Sequence, residues 1–250
     1  RDKLVTGVQT CALPICGLNR FDPTTETFTA YRNDPSDPTS LNLDVLRSLY
    51  LDGNRTLWIG TFGGGLDCFD LGQANAADTQ NAIFTHFKHD PNNPHSIGND
   101  NVFSIYRDTQ DQLWIGTLQG GLNQFDPASG NFRHGQEIAK PSGTFAAESV
   151  YKVVEAAGML WFGTSNGVYT TDLQGKHFYN LVHDPNEPNS IGANEVDAAY
   201  QDPKGILWVS TNQSGLHKVD IPSSTVTHYH HDPNNPESMG MESVGKIAPS

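Results

Sequence analysis

Leu57-Trp58-Ile59-Gly60-Thr61 decides the fold, because it returns three times: Leu113-Trp114-Ile115-Gly116-Thr117, Leu160-Trp161-Phe162-Gly163-Thr164 and Leu207-Trp208-Val209-Ser210-Thr211. Successive tryptophans are 56, 47 and 47 residues apart. Self-similarity at this period marks one supersecondary unit copied along the chain. A residue present in every copy is explained first by the fold. Function is sought where the copies differ, or in what they jointly enclose.

The copies align well beyond the tryptophan. A Gly-rich turn leads to Gly17-Leu18-Asn19-Arg20-Phe21-Asp22, Gly65-Leu66-Asp67-Cys68-Phe69-Asp70, Gly121-Leu122-Asn123-Gln124-Phe125-Asp126, Gly167-Val168-Tyr169-Thr170-Thr171-Asp172 and Gly215-Leu216-His217-Lys218-Val219-Asp220. A third strand follows, as at Phe28 to Tyr31, Phe84 to Phe87 and Val226 to Tyr229. Then comes a D-P-x-x-P-x-S loop, beginning at Asp34, Asp90, Asp184 and Asp232. A further strand, such as Val45 to Tyr50 or Val102 to Tyr106, returns the chain to the next tryptophan. These short strands are rich in aromatic and β-branched residues and bounded by Gly, Pro, Asn and Asp. No long stretch has helical periodicity.

Four strands per repeat of about 47 residues predict an all-β protein built of β-propeller blades. The glycine pairs Gly64-Gly65 and Gly120-Gly121 predict close backbone approach, expected near the axis where blades converge. Trp58, Trp114, Trp161 and Trp208 are read as structural repeat residues. The units run 17–43, 44–100, 101–148, 149–194, 195–242 and, in part, 243–250. Both ends fall inside a unit, so four tryptophan-bearing blades with a partial blade at each end predict an open arc, poorly soluble by itself because blade faces and strand edges stay uncovered.

Residues 1–16 do not fit the repeat. Val5 to Ile15 matches, over eleven codons, the in-frame translation of a common sequencing-library adapter, and the segment is set aside from fold and function. Leu13-Pro14-Ile15-Cys16 only faintly resembles a lipoprotein cleavage box, since Ile15 is not small.

The formal charge is −13, or −14 with residues 1–16 set aside. An acidic chain without a basic patch is a poor partner for nucleic acid or anionic lipid. No apolar run approaches the roughly 20 residues of a membrane span. Outside the first sixteen residues only Cys68 remains, which gives no disulfide framework. Its slot holds Arg20, Gln124, Thr170 and Lys218 in the other copies, so it is expected to face solvent.

The recurring Asp22, Asp70, Asp126, Asp172 and Asp220 are read as turn caps, because catalysis needs an asymmetric constellation. His86, His89, His183, His228, His230 and His231 track the repeat beside exposed turns, so metal binding is not expected from them. No cofactor is expected. The D-x-x-G-x-L-W hairpins loosely resemble the Asp-boxes of sialidase propellers, but no arginine cluster or Tyr/Glu pairing accompanies them.

Two places break the symmetry. The first unit is nine residues longer, with the excess near Leu71 to Gln80. The unit at Asn131 to Ser149 replaces the D-P loop with His134 to Phe145. Insertions of this kind map to loops and often to a binding face, with neutral loop drift as the plainer alternative. Asn75, Asp78, His134, Glu137 and Lys140 are accordingly the candidate ligand-binding residues.

Asn101 to Asp108, Leu113 to Thr117, Gly120 to Pro127 and the Asp-Pro-Asn-Asn-Pro-x-Ser loop together resemble the two-component regulator propeller family. The resemblance covers residues 17–250. The copy at Val150 to Asp172 departs from it, with Phe162 for Ile and Thr171 for the aromatic before Asp172. The resemblance implies a periplasmic sensor ectodomain of a bacterial membrane protein, with a histidine kinase or diguanylate cyclase as output. It further implies an extracellular small-molecule ligand, glycans included, a membrane anchor in the intact protein with a dimer among its possible states, and no catalysis by this region. The rival expectations are a secreted lyase or glycosidase, which needs a non-repeating set of His, Tyr, Arg or Glu on the axis, and a protein-interaction scaffold.

Overall fold

The computed structural model describes residues 17–53, 55–72, 82–139, 145, 147–173, 178–221, 225–240, 244 and 247. The chain divides into two compact units, Arg1–Ile105 and Tyr106–Ser250.

In the first unit, β1 (Leu18–Asp22) pairs with β2 (Thr27–Tyr31). A four-stranded antiparallel sheet follows, formed in chain order by β3 (Leu46–Asp52), β4 (Thr56–Thr61), β5 (Leu66–Asp70) and β6 (Phe84–Phe87). β7 (Val102–Arg107) straddles the division and is the first strand of a sheet continued by β8 (Leu113–Thr117), β9 (Gly121–Asp126) and β10 (Asn131–His134). The second unit adds β11 (Val150–Ala156), β12 (Met159–Thr164), β13 (Gly167–Asp172) and β14 (Phe178–Leu181). Its last sheet is β15 (Val196–Gln201), β16 (Leu207–Thr211), β17 (Gly215–Asp220) and β18 (Thr225–Tyr229). Each four-stranded sheet is a meander in chain order, which is the construction of a propeller blade.

Burial along the strands explains the sequence pattern. The tryptophan strand is second in its sheet; every residue of β8 is buried, as are all but the first of β4 and β12. Such a strand is covered on both faces and reads as a continuous apolar run. The last strand is an edge, and in β18 only Val226 is buried.

The apolar core lies between sheets. Trp114 and Leu122 of one sheet cluster with Val150, Val153, Leu160 and Phe162 of the next. Trp161 and Val168 of that sheet cluster in turn with Val196, Ala199 and Val209. In the first unit Leu18 and Tyr31 cluster with Leu57, Ile59, Phe69 and Phe84. Fully burying one such side chain contributes roughly 1.5–3 kcal/mol, so a blade is stabilised mostly by its neighbour.

Close backbone approach occurs at the expected Gly64-Gly65 pair, where a Cβ on Gly65 would stand 2.3 Å from the Phe87 carbonyl oxygen, and also at glycines the sequence did not single out. A Cβ on Gly116 would stand 2.6 Å from the Val150 carbonyl oxygen, and one on Gly163 would stand 2.7 Å from Val196 Cγ1. The glycine of the Trp-x-Gly-Thr string therefore lets the next sheet close in. At Gly65 the approach is to the outermost strand of its own sheet, and its φ of +85° also makes the turn into β5, against the Phe87 carbonyl. The threonine beside it latches that turn, Thr61 Oγ1 donating to the Gly65 carbonyl at 2.8 Å and accepting from Gly64 N at 2.9 Å.

The aspartate ahead of the tryptophan organises the hairpin. Asp108 Oδ1 accepts from Gln110 N and Gln112 N, while its Oδ2 accepts from Trp114 Nε1 at 2.8 Å. Asp202 does the same for Lys204, Ile206 and Trp208. The recurring strand-end aspartates are turn caps where their contacts are described: Asp22, Asp70 and Asp126 accept from Thr24 N, Gly72 N and Ala128 N.

The D-P loops are closed internally. Ser40, Ser96, Ser190 and Ser238 accept from the backbone N of Asp34, Asp90, Asp184 and Asp232. The residue before each aspartate ties the loop's far end. His89, His183 and His231 Nδ1 meet the carbonyls of Ile97, Ile191 and Met239 at 2.9, 2.8 and 2.7 Å, and Asn33 Nδ2 donates to the Leu41 carbonyl.

Two readings need correction. The segment expected to be an irregular loop contains a helical turn, α1 (Gly135–Ala139), and buries Ile138, Ala139 and Phe145 in the inter-sheet core. It is partly a packing element, because these apolar side chains fill space beside Leu122 and Phe162. Cys68 is half-buried rather than solvent-facing, registered between Trp58 and Thr85, and burial first of all pushes its thiol up to about 11. A thiol so protonated is a weak nucleophile.

Candidate functional site

The repeat has two positions where the copies share backbone but not chemistry, and both sit at the same end of the first strand of each sheet. The pairing of β3 with β4 shifts register between Leu46 and Ser48, passing over Arg47. The same shift passes over Tyr151 in β11 and Asp197 in β15. A bulge leaves one residue unpaired and re-aims its side chain. The equivalent residue of β7 is Phe103. The second position follows the threonine of the tryptophan string, where Phe62, Ser165 and Asn212 donate their backbone N–H to the carbonyls of Val45, Ser149 and Glu195.

In the second unit this arrangement gathers polar groups from two sheets. Asn212 Nδ2 donates to Glu195 Oε2 at 2.9 Å, and the Tyr151 hydroxyl donates to Glu195 Oε1 across a long 3.5 Å. Burial is the main cause that raises the Asp197 carboxyl, with the Glu195 charge adding to it. Burial also leads in raising the Tyr151 hydroxyl; the Ser149 hydrogen bond opposes it and Glu195 reinforces it. The cluster is acidic, hydrogen-bonding and absent from the other copies. In the first unit the same two positions bring Arg47 over the rings of Phe62 and Phe103.

A second set of varied residues lies inside the sheets. The residue that follows the Gly-Leu or Gly-Val of the second hairpin strand is Asp67, Asn123, Tyr169 or His217, each buried. Its cross-strand partner is His86, His134, Asn180 or His228. His86 Nδ1 meets Asp67 Oδ1 at 2.7 Å, and Asn42 N donates to Asp67 Oδ2 at 2.9 Å. Burial nonetheless raises the Asp67 carboxyl, outweighing its partners. His86 Nε2 faces the Pro38 carbonyl and His228 Nε2 the Pro188 carbonyl, each at 3.1 Å. These histidines hold the preceding D-P loop against the outer strand.

Among the five loop candidates, Asn75, Asp78 and Lys140 lie outside the described residues. His134 occupies the same outer-strand position as His86 and His228, with Nδ1 3.0 Å from Asn123 Oδ1. Glu137 is exposed and accepts from His134 N at 3.5 Å. Sequence reasoning missed Arg47, Tyr151, Asp197, Glu195 and Asn212. The legible signal was variation directly after the recurring Val or Leu of the first strand, between otherwise matched neighbours. Among the described residues no group of three or more His, Cys, Asp or Glu side chains could hold a metal ion.

Blade-like meanders with a conserved frame and varied strand-end residues define a β-propeller. The two-component regulator propeller model matches residues 96–119 and 190–213, and these segments are repeats of that family. A histidine kinase, P4, of Formosa agariphila is 26% identical over 203 residues, which is 80% of this chain and 14% of the kinase. Among solved structures, one similar fold is the extracellular domain of BT3049, assigned as a hybrid two-component system of B. thetaiotaomicron. Its TM-score is 0.67 at 22% identity, covering 93% of this chain and 34% of that one. PorZ, a surface component of the type-IX secretion system of Porphyromonas gingivalis, follows the fold with a TM-score of 0.54 at 14% identity, covering 78% of this chain and 28% of its own. The chain thus spans about a third or less of the length of these relatives, and at such identities the two structures show shared fold alone. No described helix is long and apolar enough to cross a membrane.

Proposed function

We propose that the chain is a ligand-sensing, extracytoplasmic propeller region of a membrane-anchored bacterial signalling receptor, periplasmic in setting and coupled to a histidine kinase or diguanylate cyclase. The observation that carries this reading is the two-component regulator propeller repeat at residues 96–119 and 190–213, in a chain related to a histidine kinase. The varied strand-end residues support it, because a rigid ring of blades suits presentation of different side chains on one frame. Binding there can shift a receptor only through unequal affinity for its two states.

An enzymatic reading has one observation in its favour. Tyr151 and Glu195 form the Tyr/Glu pairing not evident from the sequence, with Asp197 close by in the chain. Its electrostatics oppose it: a hydroxyl whose deprotonation is made harder is a poor nucleophile.

Thermal-shift measurement of the 250-residue chain against neutral and charged oligosaccharides tests the sensor site. A shift that disappears in Glu195→Gln and Asn212→Ala, with no turnover of the ligand, supports it. Turnover of a glycoside that Tyr151→Phe abolishes overturns it in favour of the enzyme. Coding DNA around these 250 codons that specifies neither a membrane span nor an output domain overturns the receptor reading.

A further inference from the structure

Arg47 is the only arginine or lysine among the three bulge residues Arg47, Tyr151 and Asp197 and their equivalent Phe103. The bulge lifts it out of the ladder, and its side chain is exposed. Its guanidinium carbon lies 4.9 Å from the centroid of Phe62 and 5.6 Å from that of Phe103. The two rings are 6.2 Å apart and nearly perpendicular, at 74°. Phe62 remains 39% exposed. No carboxylate pairs with Arg47 among the described residues, although the chain carries 28 acidic residues. The fold does not demand this trio, because the copies use Tyr151 with Ser165 and Asp197 with Asn212 at the same places.

Contact with aromatic faces constrains a guanidinium while leaving its in-plane N–H edge open. That edge is a rigid fork of donors matched to two coplanar acceptor oxygens, the geometry of a carboxylate. The exposed Phe62 ring beside it offers an apolar platform for the carbon skeleton that bears the carboxylate. We infer that Arg47, Phe62 and Phe103 form a binding site for a carboxylate-bearing ligand with an apolar or C–H-rich face. The local cation also explains how an acidic chain can admit an anion at this point: the fork binds at contact distance, where screening is weakest. The inference deepens the sensor reading and rests on it for its biological sense, but its chemistry stands apart from signalling.

The test is titration calorimetry of the 250-residue chain with glucuronate and with a short glutamate-containing peptide, against glucose and the matched glutamine peptide. Binding of either carboxylate ligand with at least about tenfold preference over its neutral counterpart supports the site, and the tighter ligand names the source as saccharide or protein. Arg47→Gln is expected to weaken that binding roughly ten- to a hundredfold. Arg47→Lys is expected to restore less than half of the loss, since an ammonium lacks the fork. Both variants should keep the parent melting temperature, which separates loss of binding from loss of fold. Equal binding of neutral and carboxylate ligands, or unchanged affinity in Arg47→Gln, overturns the proposal. A chain that binds neutral oligosaccharides through Glu195 and Asn212 but ignores carboxylates loses this site and keeps the sensor reading.

Discussion

His217 Nδ1 lies 3.0 Å from His228 Nδ1, and this contact fixes the protons of a three-link chain. The Pro188 carbonyl can only accept, so His228 Nε2 carries hydrogen. A neutral His228 then presents Nδ1 as an acceptor, and His217 Nδ1–H donates to it. His217 Nε2 in turn accepts from the Thr211 hydroxyl at 2.8 Å. Every polar atom of a wholly buried imidazole is thereby used.

A pH dependence of stability follows from this chain. Burial first, and the neighbouring His228 second, lower His217 to about 4 from its ordinary 6.5. Between those values the unfolded chain binds a proton that the folded one refuses. Stability from this group is therefore full above about pH 6.5 and falls as pH drops toward 4. Melting temperature measured across that interval should decline with acidification. His217→Asn, which installs the residue found at Asn123, should flatten the decline; an unchanged slope would remove His217 as its cause.

Asp108 accepts three hydrogen bonds while 5% exposed, including the indole of Trp114. Asp108→Ala should cost about 2–4 kcal/mol, because two backbone donors and a buried indole lose their acceptor. Denaturant unfolding measures this, and a loss below 0.5 kcal/mol would mean that water or another group replaces the carboxylate without difficulty.

Thr171 stands where the other copies have Phe21, Phe69, Phe125 or Val219, is wholly buried, and its hydroxyl has no hydrogen-bond partner among the described residues. Thr171→Val keeps the shape and removes the orphaned hydroxyl. A gain of about 1 kcal/mol in unfolding free energy is expected. Destabilisation instead would reveal a partner for that oxygen.

Gly116→Ala places a methyl 2.6 Å from the Val150 carbonyl oxygen and 2.8 Å from Val150 Cγ1. Backbone cannot yield as a flexible side chain does, so a loss of about 1–3 kcal/mol is expected. Gly130→Ala is a useful contrast: there a Cβ meets nothing within 4 Å, and the cost should come only from its φ of +73°. Equal losses at both positions would argue against sheet-to-sheet crowding at Gly116.

The tryptophan string, the Gly turns and the D-P loops made the blade legible before any coordinates, since each is a local device whose partners lie a few residues away. Asp108 to Trp114 spans six positions, Thr61 to Gly65 four, and His183 to Ile191 eight. The sites were less legible because their groups come from different copies. Tyr151 and Glu195 are 44 positions apart, and Arg47 and Phe103 are further still. Loop length drew attention to His134 and Glu137, yet length says nothing about which way a side chain is aimed.

Sequence by itself determined the all-β class, the meander of each blade and the structural roles of its recurring Trp and strand-end Asp residues. Periodicity carries that information because every copy must satisfy its own backbone hydrogen bonds locally. Tertiary structure alone decided that Gly116 and Gly163, outside the expected glycine pairs, are also close-packed, that Cys68 is half-buried, and that Arg47, Tyr151 and Asp197 leave their ladders. Those outcomes depend on how one sheet meets the next and on a one-residue slip of register. Such a slip redirects a side chain without changing the hydrophobic pattern by which the strand is recognised.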